Sequence, residues 1–334
     1  MTKRVIKIFF IIILIFTLSA FPVLADDANE LEEVVIEEEE KNEIEASASS
    51  DTKPTINSRR YAVYDRLSGR CIYGKDENKQ TAMASTTKIM SAVIIVENCN
   101  LEDIVTVTEK AAGVGGSRLG LHTDDKISVN DLLYGLMLRS GNDAAVALAI
   151  HTAGSVEEFA NLMNQKAEVL GLTNTHFVSP HGLDNSEHYT TAYELAKITD
   201  YALKNETIAK IVKTKTTTIS INGNPMQINN TNELLGNVEG VYGVKTGFTN
   251  GANRCLVTSV TRNDMSIITV VLGADTKKNR TADSIKLIEY AYQNFKEVKM
   301  DEKIKNEFED WKEKNENNII LNKENDNDLE KQVI

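Results

Sequence analysis

Cysteine is scarce in this 334-residue chain: Cys71, Cys99 and Cys255, an odd number at wide spacing. They fit neither a disulfide framework nor the close-set Cys/His groups that hold zinc. Cys71 and Cys255 fall in strand-like segments and read as buried free thiols, with a single disulfide left open. With only five scattered histidines, no metal or cofactor is expected. Basic residues are also in deficit, 37 Lys+Arg against 49 Asp+Glu for a formal net charge of −12. That balance argues against nucleic acid as a partner, because such binding rests on neutralising phosphates. Long apolar runs are missing too. The one near the N-terminus, Ile8 to Leu18, is shorter than the roughly 20 residues a membrane-spanning helix needs.

That run has another use. It follows the basic residues Lys3, Arg4 and Lys7 and precedes the small-residue site Val23-Leu24-Ala25, the three-part form of a secretory signal peptide over residues 1–25. A retained anchor is the less favoured reading, and no cysteine follows closely enough for a lipid anchor. Residues 26–55, with Glu37-Glu38-Glu39-Glu40, are expected to form an acidic disordered linker. The charged tail, 297–334, places Met300, Ile304, Phe308 and Trp311 at helical spacing. It interleaves acidic residues with lysines, so a membrane-surface helix is not evident, and disorder is expected beyond Glu316. One folded domain, 56–296, lies between.

Within that domain, Tyr61–Tyr64 and Cys71–Tyr73 read as two strands joined at Leu67-Ser68-Gly69. Helices are expected from Ser85 to about Glu97, over 131–138, from Ala144 to Thr152, from Val156 to Leu170 and from about Ala282 to Phe295. Gly171 suits the end of the fourth. Val241–Lys245, Arg254–Val260 and Ser266–Leu272 read as strands, the last two apolar enough to be central in a sheet. Two strands at the start and three at the end imply one antiparallel sheet built from both chain ends, with helices between.

Chemistry concentrates at Ala84-Ser85-Thr86-Thr87-Lys88-Ile89-Met90. Residues three apart share a helix face, so Lys88 would stand beside Ser85. A serine hydroxyl needs a base to become nucleophilic, and a lysine is that base only if burial or nearby positive charge lowers its pKa. A helix start adds backbone N–H groups suited to an oxyanion. The spacing alone is weak, since Ser50-Asp51-Thr52-Lys53 shares it. Downstream, Ser140-Gly141-Asn142 opens a helix, where an N-cap is the bland reading, and Ser128-Val129-Asn130 shows how cheap that pattern is. Lys245-Thr246-Gly247 ends a strand, where a surface turn is the bland reading.

In this order, Ser-x-x-Lys, Ser-x-Asn and Lys-Thr-Gly resemble the signature of penicillin-binding proteins and serine β-lactamases. The segments around them, with Ser179-Pro180-His181-Gly182-Leu183 and Val244-Lys245-Thr246-Gly247-Phe248-Thr249, look like low-molecular-mass D-alanyl-D-alanine carboxypeptidases over nearly all of 58–296. The resemblance implies an α/β (α+β) fold of the serine β-lactamase/DD-transpeptidase type, a five-stranded antiparallel sheet flanked by helices. It implies Ser85 as nucleophile, Lys88 as its base and Ser140 as proton relay. Asn142, Lys245, Thr246, Gly247 and Arg280 would bind substrate, with Ser85 and Phe248 N–H groups as the oxyanion hole. Arg280 reads equally well as a helix-start surface residue. Some relatives carry a further arginine where Asn230-Thr231-Asn232 stands here, which leaves the grip on the substrate carboxylate open. His181, Tyr134 and Tyr189 read as loop or packing residues. Implied partners are peptidoglycan stem peptides ending in D-Ala-D-Ala, with β-lactams as inhibitors, in a secreted or cell-wall-associated enzyme. A β-lactamase, a DD-endopeptidase or a non-catalytic wall-binding protein are the alternatives. The glutamate-bearing loop of class A lactamases has no evident match between Asn142 and Lys245.

Overall fold

The computed structural model describes residues 53–295. The expected signal peptide, nearly all of the expected acidic linker and the expected tail lie outside the described residues. Strands β1 (Arg60–Asp65) and β2 (Arg70–Lys75) form the N-terminal hairpin. At the other end of the chain, β7 (Val241–Thr249), β8 (Asn253–Arg262) and β9 (Met265–Ala274) form a meander. β1 pairs antiparallel with β9, which closes one five-stranded sheet of order β2-β1-β9-β8-β7. The expected sheet from both chain ends is therefore present, with β7 on an edge.

Side chains alternate between two cores, as the two-residue period of a strand requires. Ala62, Tyr64, Val257, Ile268 and Val270 face the larger helical layer, whereas Tyr61, Val63, Leu256, Ile267 and Val271 face a smaller core. Burial on both faces explains why β8 and β9 read as near-continuous apolar runs. The smaller core is covered by a helix, α8 (Lys277–Asn294), which contributes Leu287, Ile288 and Ala291. α8 begins five residues before the expected start at Ala282, because Thr276 caps it by accepting the Asn279 N–H.

On the opposite face, α1 (Lys88–Asn98) runs through the centre of the larger core, buried from Lys88 to Ile95. A helix apolar on every side must be enclosed. Around it stand α2 (Glu109–Ala112), α3 (Val129–Leu138), α4 (Asn142–Ala153), α5 (Val156–Val169), α6 (Ala192–Leu203) and α7 (Glu206–Lys213). Two short hairpins, β3 (Ile104–Thr106) with β4 (Lys126–Ser128) and β5 (Thr216–Ile221) with β6 (Asn224–Asn229), edge this layer.

α6, α7 and the β5–β6 hairpin were not among the expected elements. Their signals are present: Thr191 caps α6 by accepting the Glu194 N–H, Asn205 caps α7, and Asn222-Gly223 is a two-residue hairpin turn. All three thiols are free, with Cys255 buried but Cys71 and Cys99 only half-buried.

Candidate active site

Ser85 does not open an α-helix. It lies in a 3-10 turn, Ala84–Thr87, that precedes α1. Ala84 holds a left-handed φ of 49°, and the Thr86 and Thr87 hydroxyls donate to the Met83 and Ala84 carbonyls at 2.6 and 2.9 Å. His188 braces the same turn. Its Nδ1 accepts the Val178 N–H at 3.0 Å, which leaves the proton on Nε2, 2.7 Å from the Thr87 hydroxyl oxygen. That tautomer follows from the network around the ring. The turn leaves Ser85 partly exposed while everything beside it is buried.

Lys88, the first residue of α1, is wholly buried. Its Nζ lies 2.9 Å from Ser85 Oγ, 2.6 Å from Asn142 Oδ1 and 3.1 Å from the His181 carbonyl oxygen. Burial, and then the nearby Lys245 charge, hold this amine well below the ordinary lysine pKa; Asp143 opposes the shift. A neutral amine has two N–H donors and one lone pair. The Asn142 and His181 oxygens can only accept, so they take the two protons and the lone pair is left for the Ser85 hydroxyl. Asn142 is fixed for this task by donating from Nδ2 to the Gly115 carbonyl at 2.7 Å. Asp143 beside it accepts the N–H groups of Leu119, Gly120 and Leu121, which anchors that loop. Ser140, almost buried, stands in the connection from α3 to α4 at a φ of 60°.

The opposite wall is edge strand β7. A Cβ on Gly247 would lie 3.1 Å from the Ser85 backbone nitrogen, so the strand passes against Ser85. Lys245 is buried and donates to the Thr246 carbonyl at 3.0 Å. Burial and the Arg280 charge bring its pKa down to about 7. Phe248 is half-exposed, with the Arg254 guanidinium stacked 4.0 Å from its ring centroid.

Arg280 is not a surface residue: it is 4% exposed, with no partner for Nε among the described residues and Nη2 3.4 Å from Glu233 Oε2. The reading of a helix-start surface arginine therefore falls, because α8 begins earlier and turns this side chain inward. Residues that sequence reasoning passed over also line the site. The His181 contribution is its backbone carbonyl, which no side-chain pattern reveals. Asp184 accepts from the Thr249 hydroxyl at 2.5 Å and the Gly251 N–H at 2.8 Å. It thereby ties the loop holding Lys88 to the end of β7. Thr231 reaches the Thr246 hydroxyl at 2.7 Å.

A serine touching a buried, charge-depressed lysine, wedged between a helical layer and the edge of a five-stranded antiparallel sheet, places the protein in the structural class of serine DD-peptidases. Residues 47–276 match the model of peptidase family S11, D-alanyl-D-alanine carboxypeptidase, and the chain belongs to that family. It is 38% identical over 239 residues to the D-alanyl-D-alanine carboxypeptidase DacF of Bacillus subtilis, covering 70% of this chain and 61% of that one. With the D-alanyl-D-alanine carboxypeptidase of Streptomyces sp. K15 it shares 36% over 263 residues, covering 73% and 90%. The crystal structure of the Streptomyces K15 DD-transpeptidase matches with a TM-score of 0.69 at 37% identity, over 72% of this chain and 99% of that one. The chain thus spans nearly all of the Streptomyces protein but under two thirds of DacF.

Proposed function

We propose that this protein is a serine-type D-Ala-D-Ala carboxypeptidase that removes the terminal D-alanine of peptidoglycan stem peptides. The observation that carries the reading is the buried Lys88 amine, whose lone pair is left for Ser85 by two acceptor oxygens. The Ser85 hydroxyl attacks the carbonyl of the penultimate D-alanine as its proton passes to Lys88. The tetrahedral oxygen is held by the N–H groups of Ser85 and Phe248; loss of one such donor costs on the order of 10²–10³ in rate. Ser140 relays a proton to the leaving amine, and free D-alanine departs. Water then cleaves the Ser85 ester and releases the shortened peptide.

Lys245, Arg280 and the Thr246 hydroxyl receive the substrate's terminal carboxylate, two cations for one anion. Gly247 lets β7 approach closely enough for the Phe248 N–H to serve the oxyanion. The same geometry accepts a β-lactam, whose ring-opened acyl group stays on Ser85. The N-terminal pattern of basic residues, apolar run and Val23-Leu24-Ala25 supports export and action outside the cytoplasm.

The test is D-alanine release from a Lys-D-Ala-D-Ala peptide, with intact-protein mass spectrometry after brief exposure to benzylpenicillin. One covalent adduct on the wild type, none on Ser85→Ala and measurable D-alanine release are expected. A folded wild type that neither acylates nor releases D-alanine would overturn the reading.

A further inference from the structure

The wall opposite Ser85 contains a residue whose placement the catalytic motifs do not account for. In the segment Asn230-Thr231-Asn232, both asparagines spend their amides on backbone. Asn230 Nδ2 donates to the Val212 and Thr214 carbonyls at 3.3 and 3.1 Å, and Asn232 Nδ2 donates to the Gly243 carbonyl at 2.7 Å. The Thr231 N–H donates to the Leu138 carbonyl at 3.1 Å, two residues before Ser140. The segment is thus pinned to α3 on one side and to β7 on the other. Only the Thr231 side chain is left to face the site, and its Oγ1 lies 2.7 Å from Thr246 Oγ1. Thr231 is exposed and Thr246 nearly buried, so the pair runs from the cleft surface toward the two buried cations.

We propose that Thr231 is a positioning residue for the substrate's terminal carboxylate, acting through its hydroxyl contact with Thr246. The inference rests on the acyl-transfer reading above and names the grip that reading needs. Two hydroxyls joined by one hydrogen bond hold two protons. One lies between the oxygens, and the other is free for an anion. Whichever threonine donates inward, the pair presents one O–H polarised by its neighbour, a stronger donor than an isolated hydroxyl. The contact also fixes the Thr246 rotamer, which would otherwise turn freely beside the anion. The Lys245 ammonium supplies charge but little direction, and the Arg280 fork is partly turned to Glu233; the hydroxyl pair adds a directed donor.

Thr231→Val keeps the shape and removes the hydroxyl. The probes are two thioesters of benzoyl-D-alanine, one with thioglycolic acid as leaving group and one with its methyl ester. They share the reacting carbonyl and differ only in the carboxylate. Thr231→Val is expected to lower kcat/KM on the free acid about tenfold, the worth of a hydrogen bond to a charged group, through KM rather than kcat. The methyl ester should change by less than about twofold, and Thr231→Ser should restore the free-acid value. Equal losses on both thioesters would show a merely structural role, and no loss on either would show none; both results overturn the proposal. D-Alanine release by the wild type tests the acyl-transfer reading separately.

Discussion

Lys88 Nζ and Asn142 Oδ1 lie 2.6 Å apart, both buried, across two helices that converge on Ser85. An amide oxygen accepts a hydrogen bond from the amine without offering it a counter-charge, which is compatible with an uncharged lysine. Asn142→Asp would replace it with a carboxylate, and an adjacent negative charge favours the ammonium form. Acylation by benzylpenicillin at neutral pH should then fall by about 10²-fold and recover as pH rises, because the basic group is removed from play rather than destroyed. A variant with an unshifted pH–rate limb would count against this role for Asn142.

Lys245 titrates near 7 in the free protein, depressed by burial and by Arg280. It is charged below that value and neutral above it. Attraction of the substrate carboxylate needs the charged form, so kcat/KM should decline as pH rises through about 7. A bound carboxylate favours the ammonium, so the corresponding limb of kcat should lie at higher pH. Lys245→Gln should lose the alkaline limb of kcat/KM along with most activity. Matched pH profiles of the two parameters check the sign.

Gly182 holds a φ of +86°, and a Cβ there would lie 2.0 Å from the Ala84 carbonyl oxygen. The clash is with the backbone of the turn that carries Ser85, so no rotamer relieves it. Gly182→Ala is expected to cost about 3 kcal/mol or more of stability, read as a shift in urea midpoint. Gly247→Ala meets gentler contacts, 3.1 Å to Ala84 Cβ and Ser85 N. It should lower acylation by at least about tenfold with a smaller stability loss.

His188 is buried and its pKa is pushed down to about 4, mainly by burial and then by His176. The unfolded chain takes up this proton near 6.5 and the folded one only near 4. The His188 contribution to stability therefore falls as pH drops through that window, by about 3 kcal/mol, and is gone below about 4. His188→Gln should be less stable at neutral pH and lose less between pH 6.5 and 4. Urea midpoints across the range decide it.

The sheet is legible because β8 and β9, buried on both faces, leave near-continuous apolar runs, and because the turn Leu67-Ser68-Gly69 separates the short strand patterns of β1 and β2. The segments left unassigned, α6, α7 and the β5–β6 hairpin, interleave polar residues with their apolar ones, Glu194, Lys197 and Asp200 in α6 and Thr216, Thr218 and Ser220 in β5, so their caps and turn stand beside no conspicuous apolar pattern. At the site, residues that act through side chains at fixed spacing, Ser85 with Lys88 and Lys245 with Thr246, could be picked out in the sequence. The His181 carbonyl could not, since any residue supplies one. Asp184 gives no sequence signal, and the Asn230-Thr231-Asn232 segment marks a place but not a role for Thr231, because their partners Thr249 and Thr246 lie 65 and 15 residues away and come within reach only once β7 has formed. Arg280 was misjudged as equally suited to the surface because the start of α8 is set by Thr276, four residues ahead of it.

The central claim, an uncharged amine beside Ser85, is open to direct observation. Protein labelled with 13C at the lysine ε-carbon, with the Lys88 resonance assigned by its loss in Lys88→Met, can be followed through a pH titration. A Lys88 signal at the free-base position at pH 7, moving to the ammonium position only in acid, is the result expected. A signal that stays at the ammonium position until pH 9 or above, near the ordinary lysine range of about 10, would contradict the account.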